Sequence, residues 1–168
     1  MRYALLAFLS LNACQLSAPG PAAAGGSSTV ATPPASASAM PATTLTSGGP
    51  SVTLAGHTWK AEIEDTDAAR EQGLSDRPSL DPDSAMVFTW GSPQQVQFWM
   101  HGMEFPLDVV FVQGGKVVSI TAEAPPCPAS GTCPTFGPDT PVDYVVEINA
   151  GQAAKYGVKD GVSASFTR

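Results

Sequence analysis

From Ser51 onward, apolar residues recur mostly at every second position, the period of a strand lying on a sheet. Ser51–Leu54 and Thr58–Ile63 flank Ala55-Gly56-His57, which predicts a hairpin with His57 solvated in its turn. Thr66 or Asp67 is placed to cap a short helix running to Gln72, and Gly73 stands where helices end. Ala85–Trp90 and Val96–Met100 read as strands separated by Gly91-Ser92-Pro93. The clearest hairpin is Leu107–Gln113, Gly114-Gly115, Lys116–Thr121, because two adjacent glycines permit the positive φ angles of a tight turn. Tyr144–Ile148 is a further strand, Gln152–Tyr156 a single helical turn, and Val162–Phe166 a last strand. Many short strands with Gly and Pro turns and no internal repeat predict a mainly β single domain, a compact barrel or sandwich with one or two short helices. The 118 residues from 51 to 168 suffice for one core.

The first fifty residues have a different pattern. Met1-Arg2-Tyr3 is a short cationic start, and Ala4–Leu11 is an apolar run too short to span a bilayer. It leads into Leu11-Asn12-Ala13-Cys14, which resembles a bacterial lipobox with Cys14 as the lipidated residue. Residues 1–13 then form a signal peptide. The competing reading is an ordinary secretory signal in which Cys14 is incidental. From Gln15 to Pro50, 36 residues carry no charge and are dominated by Ala, Ser, Thr, Pro and Gly. Such a segment offers too little apolar surface to offset the entropy of ordering. Residues 14–50 are thus expected to be a lipidated cysteine followed by a disordered tether of about 30–40 Å end to end. The expected location is extracytoplasmic, membrane-anchored at the cell envelope.

Cysteine and charge usage fit that location. If Cys14 carries lipid, only Cys127 and Cys133 are left, and an isolated pair in an exported chain reads as a disulfide. A redox or metal pair is the alternative, but the spacing is not C-x-x-C and no second pair completes a zinc site. The chain has 15 Asp and Glu against 8 Lys and Arg, a net charge of −7. No basic patch is available to neutralise phosphates, so no nucleic-acid partner is expected. The expected partners are the membrane, and a small molecule or envelope protein bound by a monomer.

The candidate chemistry concentrates between Phe98 and Phe111, fourteen residues with three Phe, two Met and one Trp. Asp108 shares a strand face with Val110 and Val112, while Leu107, Val109 and Phe111 share the other, so this strand is expected to be buried on both sides. Asp108 is then either a tuned carboxyl in a pocket walled by Trp99 and Met100, or a structural acceptor for N–H groups of the Gly102–Pro106 bend. Arg77 could pair with Asp108 or Glu147, receive an anionic ligand, or form an ordinary surface ion pair. Met100, His101 and Met103 suggest thioether and imidazole ligands for copper(I), a weaker alternative against their use in a core. Gly73-x-Ser75 begins like a nucleophile elbow, but Arg77 stands where its last Gly belongs. No cofactor motif and no zinc-protease, Walker or dinucleotide pattern occurs.

These segments together resemble a bacterial and archaeal family, domain of unknown function 192. The resemblance is carried by Ala69–Arg77, by Ala85-Met86-Val87-Phe88, by Phe98-Trp99-Met100 with Phe105–Phe111, and by Tyr144–Gly151 with Gly161. It implies a compact, mostly β domain and brings no established activity. The cysteine pair resembles a variant common in exported members. Two departures stand out: Ser75 where the family usually has Met, and His101-Gly102-Met103 where it usually has Lys-Asn-Thr. The leading expectation is a lipid-anchored binding or envelope-interaction module with a pocket formed by Arg77, Trp99, Met100, Asp108 and Glu147. The alternative is a small-molecule or cell-wall enzyme using Asp108 or Glu147 as acid or base.

Overall fold

The computed structural model describes residues 48–168. The expected signal peptide, Cys14 and all of the expected tether before residue 48 lie outside the described residues. The described residues fold into nine strands and two short helices: β1 Ser51–Leu54, β2 His57–Glu64, α1 Asp67–Gln72, β3 Ser84–Gln94, β4 Phe98–Trp99, β5 Leu107–Gln113, β6 Lys116–Ala124, β7 Thr135–Phe136, β8 Val142–Asn149, α2 Gln152–Lys155 and β9 Ala164–Thr167. Seven strands form one sheet in the order β6-β5-β8-β3-β2-β1-β9. All its pairings are antiparallel except β2 with β3, which α1 connects. The sheet curls until its edge strands meet at one end, where Lys116 bridges Ser163. β4 and β7 form a separate two-stranded ribbon.

Several expected elements differ at their edges. The first hairpin turn is only Ala55-Gly56, both at positive φ, so His57 starts β2 and pairs with Leu54. His57 is half-buried there: its ring stacks on Tyr156 at 3.6 Å and meets Trp59 edge-on at 4.4 Å. Gly91-Ser92-Pro93 does not end β3. The register against β8 slips between Thr89 and Gln94, and the strand absorbs the three residues as an irregularity. Val96–Met100 shortens to Phe98–Trp99 because its partner is the equally short β7. Thr66 does cap α1, accepting from the Ala69 N–H at 3.2 Å, and Gly73 closes it at φ +49.

The central strands are covered on both faces. All residues of β5 from Leu107 to Val112 are buried, as the two-sided apolar pattern requires. On one face Val52, Leu54, Trp59, Val110, Val146 and Ile148 pack together, with Ala153 of α2 and Val158 above them. Trp59 Nε1 donates to Gln152 Oε1, which ties α2 to the sheet. On the opposite face Met86, Phe88, Leu107, Val109, Phe111 and Val145 pack under Leu74, Leu80 and Met100. Cys127 and Cys133 are joined in a disulfide with their Cα atoms 5.2 Å apart. The Cys127 N–H donates to the Met100 carbonyl at 3.1 Å, so the disulfide loop is anchored to the second face.

Asp108 belongs to the first face, and its side chain is fully buried. It does not serve the Gly102–Pro106 bend. Opposite it, β6 carries one extra residue, with Glu123 at φ +50. A bulge takes an N–H out of the ladder, and the Glu123 N–H donates to Asp108 Oδ1 at 2.8 Å. The Ala153 N–H, at the start of α2, donates to Oδ2 at 2.8 Å. One carboxyl thus satisfies two backbone donors that neither sheet nor helix can serve. Asp108→Asn replaces one acceptor by a donor and should lower stability by about 2–4 kcal/mol. Equilibrium denaturation measures this, and a change below about 0.5 kcal/mol would contradict the pinning role.

Candidate functional site

Glu147 lies on the second face, in the middle of β8. Its direct cross-strand neighbours are Met86 on β3 and Val109 on β5, both fully buried. The side chain is 5 % exposed. Apolar flanks supply no donor and no cation, and burial alone pushes the carboxyl up to about 8. Its open direction is a narrow pocket of about 40 Å³. One wall is the end of α1 and the turn after it, from Arg70 to Ser75. The other is formed by Phe98, Trp99, His101 and Met103, with Phe88 deeper in. This neck adjoins a cleft of about 370 Å³ that shares Arg70, Glu71, Phe88, Phe98 and Trp99 with it and adds Trp90, Val96 and Gln97.

Each wall is held by contacts that follow from local sequence. Arg70 lies one turn after Asp67, and its guanidinium bonds Asp67 Oδ1 and donates to the Thr89 carbonyl at 2.7 Å. It also covers the Trp90 ring at 5.5 Å, so its charge is fixed at the cleft wall. Phe98 meets Phe88 and Phe111 edge-on, at 5.1 and 5.8 Å. That contact roots β4 in the core while the next residue, Trp99, is 54 % exposed. Ser75 Oγ donates to the His101 carbonyl at 3.0 Å, and the Asp76 N–H donates to the Gly102 carbonyl at 2.9 Å. A Cβ on Gly102 would stand 3.0 Å from Ser75 Cβ.

The expected five-residue pocket therefore separates. Glu147 and Trp99 line one site. Asp108 points to the other face of the sheet, since its partner across the strands is Ile148 rather than Glu147. Met100 is buried in the second core and lines a separate pocket with Ala124, Pro125, Cys127 and Phe136. Arg77 reaches neither carboxyl: it pairs with Glu62 at 2.7 Å, with both side chains about 40 % exposed. That is the surface ion pair, worth under about 1 kcal/mol. Met100, His101 and Met103 are buried, exposed and half-buried respectively, so they face different surroundings. Among the described residues no group of three or more His, Cys, Asp or Glu side chains is placed to hold a metal ion.

Sequence reasoning missed Arg70 and Phe98 as walls of the site. One usable signal was present: Ser75 and His101-Gly102-Met103, the two departures from the family pattern, meet at the pocket rim.

The fold and cleft define a small β domain with a buried acid under an aromatic rim. The chain belongs to the DUF192 family, described as uncharacterized ACR, whose model matches residues 51–166. No curated protein matches it. Two solved structures are similar. One is a protein of unknown function from Novosphingobium aromaticivorans, 32% identical with a TM-score of 0.59, covering 80% of this chain and 99% of that one. The other, from Sinorhizobium meliloti, is described as a candidate transcription regulator; it is 30% identical with a TM-score of 0.60, covering 70% of this chain and 91% of that one.

The state of Glu147 leaves a signature in stability. Its folded pKa is raised from 4.5 to about 8, so the folded protein keeps a proton that the unfolded chain has released. Stability from this group is full below about 4.5 and is lost as pH rises towards 8, by up to roughly 1.4 kcal/mol per unit. Glu147→Gln cannot ionise. Its stability relative to the parent should therefore climb between about pH 5 and about pH 8, read from denaturant midpoints. Parallel pH profiles for the two proteins would show that Glu147 ionises normally in the fold.

Proposed function

We propose that this protein is a binding module of the cell envelope, anchored by lipid on Cys14, that takes its ligand in the cleft above Glu147. The observation that carries the reading is Glu147 itself. A buried carboxyl without a donor is unfavourable for the fold, and the cleft is the direction from which a partner can reach it. The Leu11-Asn12-Ala13-Cys14 sequence and the uncharged tether support the envelope location, and the Cys127–Cys133 disulfide suits an oxidising compartment. The net charge of −7 speaks against a nucleic-acid role. A second reading, an enzyme using Glu147 as acid or base, draws on a carboxyl that titrates near neutral pH. Asp108 does not share that role, because both its oxygens hold backbone N–H groups.

Two experiments test this. In a bacterial host, the full-length chain should fractionate with membranes, and Cys14→Ala should move it to the soluble fraction. Unchanged membrane association of the variant would remove the lipid anchor. Thermal unfolding of the full-length chain against sugars, peptidoglycan fragments, nucleotides and amino acids should show one stabilising class. A ligand at about 100 times its Kd adds about 2.7 kcal/mol, and the shift should vanish in Trp99→Ala. A shift that survives Trp99→Ala would place the ligand elsewhere. Slow conversion of the stabilising ligand, lost in Glu147→Gln, would favour the enzyme.

A further inference from the structure

The cleft has a composition that selects among ligands, and the argument rests on the reading that a ligand binds there. Charge is arranged on it with both signs. Arg70 is fixed on one wall by the Thr89 carbonyl and covers the Trp90 ring. A cation entering the cleft meets that charge, and the Trp90 face is already occupied by it. Glu71 lies on the rim, so an anion drawn towards Arg70 meets an acidic side chain there. Neither sign of charge gains on entry, and a neutral ligand is the one the walls do not oppose.

The remaining groups describe that neutral ligand. Trp99 is the one large hydrophobic side chain exposed among the described residues. It stands beside His101, with ring centroids 5.4 Å apart. An exposed indole face carries a negative quadrupole and suits a flat ring whose C–H bonds point at it. Around it are short polar groups without net charge: the Gln72 and Gln97 amides and the Ser75 hydroxyl. A carboxyl that keeps its proton at the bottom of the neck both donates and accepts, as a hydroxyl partner requires. The cleft volume of about 370 Å³ is in the range of small-molecule sites. We propose that the cleft binds a neutral saccharide, with one sugar ring lying on Trp99 and a hydroxyl of the ligand hydrogen-bonded to the Glu147 carboxyl.

The test is titration of the ¹⁵N-labelled full-length chain, following the indole N–H resonances of Trp59, Trp90 and Trp99. The probes are maltose, cellobiose and N,N′-diacetylchitobiose as sugars, with tetramethylammonium, acetate and phenol as a cation, an anion and a flat aromatic. At least one sugar should shift the Trp99 resonance saturably while Trp59, buried on the other face, stays still. Trp99→Ala should weaken that sugar by about tenfold or more. Glu147→Leu should do the same, and Glu147→Gln, neutral and able to donate and accept, should hold the affinity better than Leu. Saturation by tetramethylammonium, acetate or phenol while all sugars fail overturns the saccharide and leaves the cleft as a binding site. Silence of Trp99 towards every probe overturns both. A sugar that binds Trp99→Ala and Glu147→Leu as tightly as the parent overturns the assigned geometry.

Discussion

The middle of this domain is a set of strands buried on both faces, and that constraint organises everything around it. β5 from Leu107 to Val112, β3 from Ala85 to Thr89 and β8 from Val145 to Ile148 have no solvent side on which to place a polar group. Each face needs its own cover, and the chain supplies two unlike ones. α2 and the curled edge strands close the first, and Leu74, Leu80, Met100 and the disulfide loop close the second. A buried acid in such strands must be satisfied by whatever its cover brings.

Asp108 and Glu147 show the two outcomes. They lie on adjacent strands, one residue apart in register, and point to opposite faces. The first cover brings two stranded backbone donors, from a bulge and from the start of a helix, and Asp108 takes both. On the second face the strand neighbours of Glu147 are Met86 and Val109, with Phe88 beside them, and none of these side chains can donate. The same kind of side chain is thereby a fastening on one side and an unmet demand on the other. Its raised pKa follows from one local fact, burial among side chains that bring no donor.

Much of the fold was legible because it rests on local signals. Period-two runs, the Gly114-Gly115 turn, the Thr66 cap and the Gly73 stop all correspond to observed elements. The two-sided burial of β5 could be read from its residues alone. Less legible was whatever depends on pairing across distance. The parallel β2–β3 pairing, the small β4–β7 ribbon and the passage of β3 through Pro93 have no local signature. The site failed for the same reason. Alternation placed Asp108 on a face, but which face Glu147 shared depended on the β5–β8 register, which no single strand encodes. Arg70 looked like an ordinary helix residue because the ring it covers lies twenty positions away on another strand.

The contact between Ser75 and Gly102 has a bearing on ancestry. The serine hydroxyl bonds the carbonyl just before Gly102, and the glycine leaves no room for a Cβ against that serine. A longer side chain at 75 or any side chain at 102 would push the two rims apart. The two positions are therefore coupled through one contact, and a substitution at one changes the room left for the other. Lineages of this fold are expected to exchange the pair together, so that the shape of the mouth changes in steps rather than by degrees.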